Sequence, residues 1–416
     1  FLKKKIKKQK INFPNSSCTK SELKLKFIIL INKFLSIFSS KNFYSQNIYL
    51  PIISKILFKI KNKQFLLPYH MNYDGLIMNE NNINLKLRKK MFNFKGNSKF
   101  TKFLNKQLIY NFPKSFLENL KENIEFLNKL SLPKNPKLIL TSLDHHFNDI
   151  FNLYTAIKVE NGSFYYIFQH GGSYGLADNF IAEKLDIKVS DKFFTWGWKD
   201  KSKKITSYYF QKYNIKKSHI FSSKNKFGIV IPTTEFKLEP GDIAGGRPRH
   251  CNQVKDYINN INEIVLNLNK DIKKDVTIKY LETRDVSYVR DAIRKKNSIV
   301  NFMISKKNTY FHNFLISIET LNSTGFLEAM FLNRPVLLLL DQGYSPIRPS
   351  GKKIINKLKK VDIAHISTES LSSFLNINYY NIEKWWNSKK VQRMRKLFCK
   401  NYLRSYDKHI LDLSKL

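Results

Sequence analysis

The sequence predicts an α/β protein made of two consecutive domains of parallel strands and covering helices. Three observations carry this. Residues 316–341 read as strand, polar turn, helix, short turn and strand. Residues 163–175 read as a second strand that runs into a glycine-rich loop. Strand and helix patterns alternate twice along the chain, with a polar, basic link over 202–226 between the two runs.

The 316–341 stretch is the most explicit. Ile316 and Ile318 alternate with Ser317 and Glu319, as strand residues do, and Asn322-Ser323-Thr324-Gly325 is a turn of good helix-capping types. Phe326, Leu327, Met330 and Phe331 recur at helical spacing, Arg334-Pro335 ends the helix, and Val336 to Leu340 is an unbroken apolar run, as in a buried parallel strand. A helix that starts at the carboxyl end of a parallel strand offers unpaired N–H groups and a positive dipole end, which suits phosphate. Ser323 and Thr324 add hydroxyls, and Glu328, four residues after Thr324, lies on the same helix face, where a carboxylate can accept from a ribose diol. The plainer alternative is an ordinary β-α-β unit with a good cap and a solvated glutamate.

Composition bounds the function. The 416 residues start with Phe, so the chain reads as a fragment or processed product, and 42% hydrophobic content suffices for real cores. The formal charge is +41, with 73 basic against 32 acidic residues. Lysine is scattered along the chain with abundant Asn, Ile and Phe, which reads as coding bias with an electrostatic preference for acidic surfaces as a by-product. Charge is not gathered into a nucleic-acid module, so no nucleic-acid partner is expected. Cys18, Cys251 and Cys399 are odd in number, far apart and without CxxC spacing, against a disulfide framework or zinc site and in keeping with a reducing cytoplasm. No apolar run reaches the roughly 18 residues a spanning helix needs.

In chain order, 1–20 is a basic, poorly ordered end and 21–38 has helical spacing. A strand is expected over 43–50, and a helix opens at Pro51 and runs to about 63, with a basic face for solvent or anionic lipid. Residues 66–95 look irregular, and helices are expected over 98–109 and 116–130. Lys137 to Thr141 is a short buried strand leading into Ser142-Leu143-Asp144-His145-His146, a polar turn where α/β proteins place ligands. His145 and His146 with Asp144 and Asp149 invite a metal reading, but adjacent histidines rarely ligate one ion well, and no metal is expected. After a helix over 150–159, the strand 163–168 ends in Gln169-His170-Gly171-Gly172-Ser173-Tyr174-Gly175. Its glycines permit close backbone approach, and His170 at the sheet mouth suits a general base or a phosphate contact. A glycine-rich connection with a hydrogen-bonded histidine is the alternative. Glu183, Asp186 and Asp191 follow on a polar stretch, and 191–198 is a strand. Beyond the link come a strand from 227 ending at Thr233, a glycine- and arginine-rich loop over 239–249, a helix over 254–268, a strand over 276–281 ending near Arg284, and a helix over 290–296. Helices over 352–359, 367–375 and 383–413 close the chain.

The segments Gln169 to Gly175, Ser190 to Trp198, Asn322-Ser323-Thr324 through Glu328, and Trp385-Trp386-Asn387-Ser388 through Cys399 resemble, in order and spacing, a transferase family found in bacterial surface-carbohydrate gene clusters. The resemblance covers roughly residue 43 to the end. It implies a GT-B-like fold, with two Rossmann-like domains facing across a cleft and a truncated N-terminal domain, since family members extend further at that end. The implied division is a basic helical segment 1–42, an acceptor-side domain 43–215, a nucleotide-sugar domain 226–380, and a C-terminal helix 381–416 that packs back on the first domain. The implied activity is metal-independent, cofactor-free transfer of a sugar from a nucleotide-sugar donor to a surface glycan or lipid-linked glycan, in the cytoplasm or at the inner membrane face, with peripheral contact to anionic lipid. Donor binding would fall to Asn322, Ser323, Thr324 and Glu328, with Thr233 and Arg284 beside them. His170 would sit at the reaction centre, with Gln169, Gly171, Gly172, Tyr174 and Gly175 around it. The proton would be taken by His170 or by a nearby carboxylate, Asp144 or Glu183. One departure matters: related sialyl- and Kdo-type transferases carry a His-Pro pair after the strand that corresponds to 276–281, where this chain has Glu282-Thr283-Arg284. That weakens a CMP-sugar assignment. The alternatives are transfer of a polyol phosphate from a CDP-linked donor, and a non-catalytic glycan-binding or scaffold protein.

Overall fold

The computed structural model describes residues 18–69, 83–178, 180–210, 220–233, 251–280, 288–304, 312–320, 323–340 and 346–405. Two compact units divide the chain: residues 1–48 with 55–165, and residues 49–54 with 166–416.

The first unit holds α1 (Cys18–Leu35), β1 (Phe43–Gln46), most of α2 (Ile52–Lys61), α3 (Leu85–Met91), α4 (Lys99–Asn111), α5 (Leu120–Asn128), β2 (Leu138–Thr141) and α6 (Asp149–Glu160). β1 and β2 pair in parallel, with Phe43 opposite Leu138. Ile139, Leu140, Phe151 and Tyr154 form the buried layer beside them. Ser98 and Asn148 cap α4 and α6 by accepting from the third residue on. The stretch expected to be irregular contains α3, started by Asn84 accepting from Leu87 N–H. The helix is anchored by Arg88, which is fully buried and grips Glu118 through Nε (2.6 Å) and NH2 (2.8 Å). That guanidinium holds the Glu118 carboxyl down at about 2. On α2 the exposed face is apolar as well as basic: Ile52, Ile53, Ile56 and Ile60 are all more than half exposed.

β3 (Phe164–Phe168) begins at the end of the first unit and runs into the second. There it lies beside β4 (Lys192–Thr195), which pairs in turn with β5 (Ile205–Ser207), all in parallel. Between β3 and β4 the polar stretch 181–189 is a helix, α7 (Ile181–Val189), whose Glu183 and Asp186 face inward. The rest of the unit alternates β6 (Ile229–Pro232), α8 (Cys251–Leu266), α9 (Lys270–Lys273), β7 (Val276–Tyr280), α10 (Tyr288–Lys296), β8 (Asn301–Ile304), β9 (Ile316–Glu319), α11 (Thr324–Phe331), β10 (Val336–Leu339), α12 (Pro349–Lys359), β11 (Ala364–His365), α13 (Thr368–Asn378), α14 (Ile382–Trp386) and α15 (Lys389–Tyr402). This is the α/β class of parallel strands and covering helices that the sequence implies.

The second sheet is wholly parallel and runs β11-β10-β9-β6-β7-β8. The chain starts in the middle at β6, walks out through β7 and β8, and returns to the other side at β9. The strand order therefore reverses between β6 and β9, and ligands of open α/β sheets sit in that crevice, at the carboxyl ends. β10 feeds two cores. Leu337 and Leu339 join the layer of α8, α10 and α13, while Val336, Leu338 and Leu340 join that of α11, α12 and α15. Full burial of each such side chain is worth about 1.5–3 kcal/mol, which is why 336–340 tolerates no polar residue.

The helix expected over 383–413 is two. It breaks at Asn387, and Ser388 restarts it by accepting from Val391 N–H. The break lets Trp386 turn fully inward, its indole N–H on Asn333 Oδ1 at 3.0 Å. α15 packs on α11 through Phe398 against Phe326, and buried Arg395 donates to Met330 O at 2.7 Å. Beyond α15, Arg404 N–H bonds Trp196 O at 2.7 Å, which ties the chain end to the turn after β4.

Candidate active site

The loop after β3 is fixed from both sides. Gln169 is buried, and its Oε1 accepts from Trp196 N–H and from the Trp198 indole, both at 2.9 Å, while its Nε2 donates to Gly171 O at 2.9 Å. Ser173 and Gly175 take positive φ, 69° and 72°. A Cβ at Gly175 would lie 2.6–2.9 Å from the Trp198 ring, so glycine is required there. Gly175 N–H donates to Glu183 Oε2 at 2.7 Å. Tyr174 is held by stacking on Phe193 and an edge contact with Phe180.

His170 is half-buried and meets the Tyr174 hydroxyl, which is 3.1 Å from Nδ1 and 3.4 Å from Nε2. The hydroxyl also donates to Asp186 Oδ2 at 2.7 Å. Burial, reinforced by the Asp186 charge, pushes the Tyr174 pKa well above its ordinary value, so the phenol keeps its proton. With that proton committed to Asp186, the phenolic oxygen accepts from the nearer imidazole nitrogen. In the tautomer that makes this bond, Nδ1 carries the hydrogen and Nε2 is the basic nitrogen.

The facing edge belongs to the second sheet. Ser323 is the N-cap position of α11, but its hydroxyl does not cap the helix; it donates to Glu319 Oε2 at 2.9 Å. Glu319 ends β9 and is 3% exposed. Its charge raises the pKa of Lys279 on β7, which burial lowers by more. Lys279 is itself 3% exposed, so a buried cation and a buried anion flank the point where the strand order reverses. Thr233, at the end of β6, donates its N–H and hydroxyl to Lys279 O at 2.8 and 3.1 Å.

The two edges touch. Gly172 N–H donates to Thr324 Oγ1 at 3.0 Å. A Cβ on Gly172 would fall 2.4 Å from Ser323 C and 2.6 Å from Thr324 N, so only glycine lets the backbones approach this closely. Thr324 opens α11, where the first N–H groups of the helix have no intrahelical acceptor. The arrangement places a basic imidazole, a helix N-terminus and a buried charge pair around one locus. Chemically, that allows proton removal beside stabilisation of a departing phosphate.

Of the residues expected from sequence, Gln169, His170, Gly171, Gly172, Tyr174, Gly175, Ser323, Thr324 and Thr233 lie along these two edges. Glu328 is on α11, 1% exposed. Glu183 is engaged by Gly175 N–H and by Arg348, whose NH2 is 2.6 Å from Oε1, yet burial still raises its pKa more than these partners lower it. Asp144 belongs to the first unit, where it is buried and accepts from Asn47. Asn322 and Arg284 lie outside the described residues. Lys279, Glu319, Asp186 and Arg348 complete the network and were not singled out from sequence as site residues.

A profile described as LIC12162 family transferase matches residues 1–416. No curated protein matches the chain. Among solved structures, an α,α-trehalose-phosphate synthase (UDP-forming) from Burkholderia vietnamiensis is similar at 7% identity and TM-score 0.42, covering 86% of this chain and 94% of its own. The corresponding Burkholderia xenovorans enzyme, in complex with glucose-6-phosphate, is similar at 9% identity and TM-score 0.37, over 76% and 85%. A kitacinnamycin glycotransferase is similar at 8% identity and TM-score 0.36, over 70% and 78%.

Proposed function

The chain belongs to the LIC12162 family of transferases, and on that premise we propose that it moves a sugar from a nucleotide-sugar donor to a glycan or lipid-linked glycan acceptor without a metal ion. The observation that carries this reading is the contact between Gly172 N–H and Thr324 Oγ1, which joins the His170 loop to the start of α11.

His170 Nε2 takes the proton of the acceptor hydroxyl as the oxygen attacks the donor's anomeric carbon. The bond from that carbon to the nucleotide phosphate breaks, and the phosphate leaves with the electron pair. Its growing negative charge meets the N-terminal N–H groups of α11 and the Lys279 ammonium, which are in place before the reaction starts. Asp186 and Tyr174 keep Nδ1 protonated, so the imidazole accepts through Nε2. Glu183 and Arg348 hold the loop's last glycine rather than the reacting atoms.

A membrane-face location rests on one separate feature, the exposed face of α2. α2 exposes Ile52, Ile53 and Ile56 together with Lys55, the mixture an interfacial helix uses on anionic lipid.

The test has two steps. Thermal shift with CMP, UDP, GDP and dTDP identifies the base, because ligand-linked stabilisation grows with affinity. Nucleotide release from the matching sugar donors then compares the wild type with Ser323→Ala/Thr324→Ala, which is expected to lose turnover at least about tenfold. Equal turnover in both proteins would show that the Gly172–Thr324 contact, on which this reading rests, is not needed for transfer.

A further inference from the structure

A cavity of about 750 Å³ opens beside the far end of the His170 loop, in a part of the second unit that the proposed reaction does not use. Two helical stripes wall it. α12 presents Ser350, Lys353, Ile354 and Lys357, spaced i, i+3, i+4, i+7; α15 presents Leu397, Lys400 and Asn401, spaced i, i+3, i+4, and Arg404 follows just past its C-cap. Helical residues so spaced share a face, so both helices aim cations at one space. The turn after β4 adds Trp198, Lys199 and Asp200.

The lining holds six cationic residues against one acidic, while the whole chain holds 73 against 32. The overall ratio alone accounts for such a count; what distinguishes the cleft is that Lys353, Lys357 and Lys400 stand on two helices around one concavity. Like charges converge on a concavity only at a cost, and a cleft of one sign focuses its field on an incoming counter-charge. Three further features describe the ligand. Ser350 supplies a neutral hydroxyl, and Ser207 and Asn401, which donate to Gly197 O and Leu397 O, offer acceptor oxygens. Trp198 and Tyr402 supply apolar ring surface. The volume suits a molecule of sugar-phosphate size rather than a single inorganic ion. The wall is also rigid: Arg404 is fastened through its backbone to Trp196 and Phe210, and Arg348 is paired with Glu183.

We propose that this cavity is a second binding site, distinct from the donor site, for a saccharide carrying two or more phosphate groups. The polar groups take the hydroxyls, and the lysines of α12 and α15 take the phosphates from opposite walls.

Calorimetric titration of the whole chain with glucose 1,6-bisphosphate, inorganic pyrophosphate and glucose tests the assignment. Saturable binding of the bisphosphate is expected, at least tenfold tighter than pyrophosphate, with none for glucose. Lys353→Gln/Lys357→Gln is expected to weaken the bisphosphate at least tenfold, while Lys89→Gln/Lys90→Gln, an exposed pair on α3, leaves it unchanged. Both variants change surface lysines, so folding is checked by circular dichroism and Tm. No saturable binding, equal binding of pyrophosphate, or equal weakening by both pairs would each overturn the proposal. So would loss of the nucleotide thermal shift in Lys353→Gln/Lys357→Gln, because the cavity would then be part of the donor site. A chain that binds the bisphosphate but releases no nucleotide from any sugar donor would refute the transferase mechanism and leave this site standing.

Discussion

The loop after β3 and the turn after β9 occupy the same kind of place, the carboxyl end of a parallel strand, and are built on opposite principles. The β3 loop is fixed mainly by neutral contacts (glycines, a glutamine shared by two tryptophans, and a tyrosine clamped between phenyl rings), with carboxylates entering only at Gly175 and at the Tyr174 hydroxyl. The β9 turn is fixed by buried charge, with Glu319 holding Ser323 and lying in the field of Lys279. Neutral contacts set geometry and lose little when one is trimmed. Buried charges depend on each other, and removing one leaves the other stranded. Changes in the β3 loop should therefore alter chemistry first, and changes in the β9 turn stability first.

The sharpest way to break this contrast is Glu319→Gln. The amide keeps the shape and can still accept from Ser323, but it leaves the Lys279 ammonium buried without its counter-charge. A loss of roughly 3–5 kcal/mol in unfolding free energy is expected, read by chemical denaturation at neutral pH. The deficit should depend on pH in a fixed direction. Burial already holds the folded pKa of Lys279 below its ordinary value, and removing Glu319 lowers it further. Between the folded pKa and the unfolded one, the unfolded chain binds more protons, so stability rises with pH there. The variant should recover part of its loss as pH climbs toward the lysine range and none of it below. A flat deficit across pH would mean that Lys279 is not the group left stranded.

The next effect is steric and comes from two adjacent glycines. Gly172→Ala drives a methyl against the Ser323 and Thr324 backbone at 2.4–2.8 Å, whereas Gly171→Ala meets only Thr324 Oγ1, at an ordinary 3.6 Å. Displacing one edge by about an ångström costs on the order of 100-fold in rate. Nucleotide release by Gly172→Ala should fall by that much with Tm little changed, and Gly171→Ala should stay near wild type. Equal loss in both would show that glycine is needed for the loop's own path rather than for contact between the edges.

How much of this was legible in the sequence follows from what kind of interaction each residue makes. The apolar run of β10, the start of α11 and the glycine-rich loop are local patterns, and they lie where expected. Lys279 and Glu319 also carry a signal in the sequence. Parallel strands covered on both faces read as nearly continuous apolar runs, so a charge at the end of Val-Thr-Ile-Lys-Tyr or Ile-Ser-Ile-Glu announces a buried partner. The sequence of α7 reads as a polar stretch because Glu183 and Asp186 look solvated, yet both point inward to Gly175 and Tyr174. That direction is set by partners more distant in the fold than any helical period registers. The break at Asn387 is similar, since what rewards it is a socket for Trp386 at Asn333, 53 residues earlier.

The smallest effect expected is the one that separates positioning from support. Tyr174→Phe keeps the ring and its stacking on Phe193 and Phe180 but removes the oxygen that links Asp186 to His170. If the hydroxyl orients the imidazole, kcat should fall about tenfold while KM for the donor stays put, within the contribution a general base makes. Stability should drop only by the value of a buried hydrogen bond, roughly 1–3 kcal/mol. The split between kcat and KM carries the discrimination, because a packing role alone would not confine the loss to kcat. The Tyr174 phenol, with its pKa raised by burial, stays protonated and adds no titration of its own. A loss shared by kcat and KM, or no loss in either, would reduce Tyr174 to packing, and the neutral edge would then be no more chemical in character than the charged one.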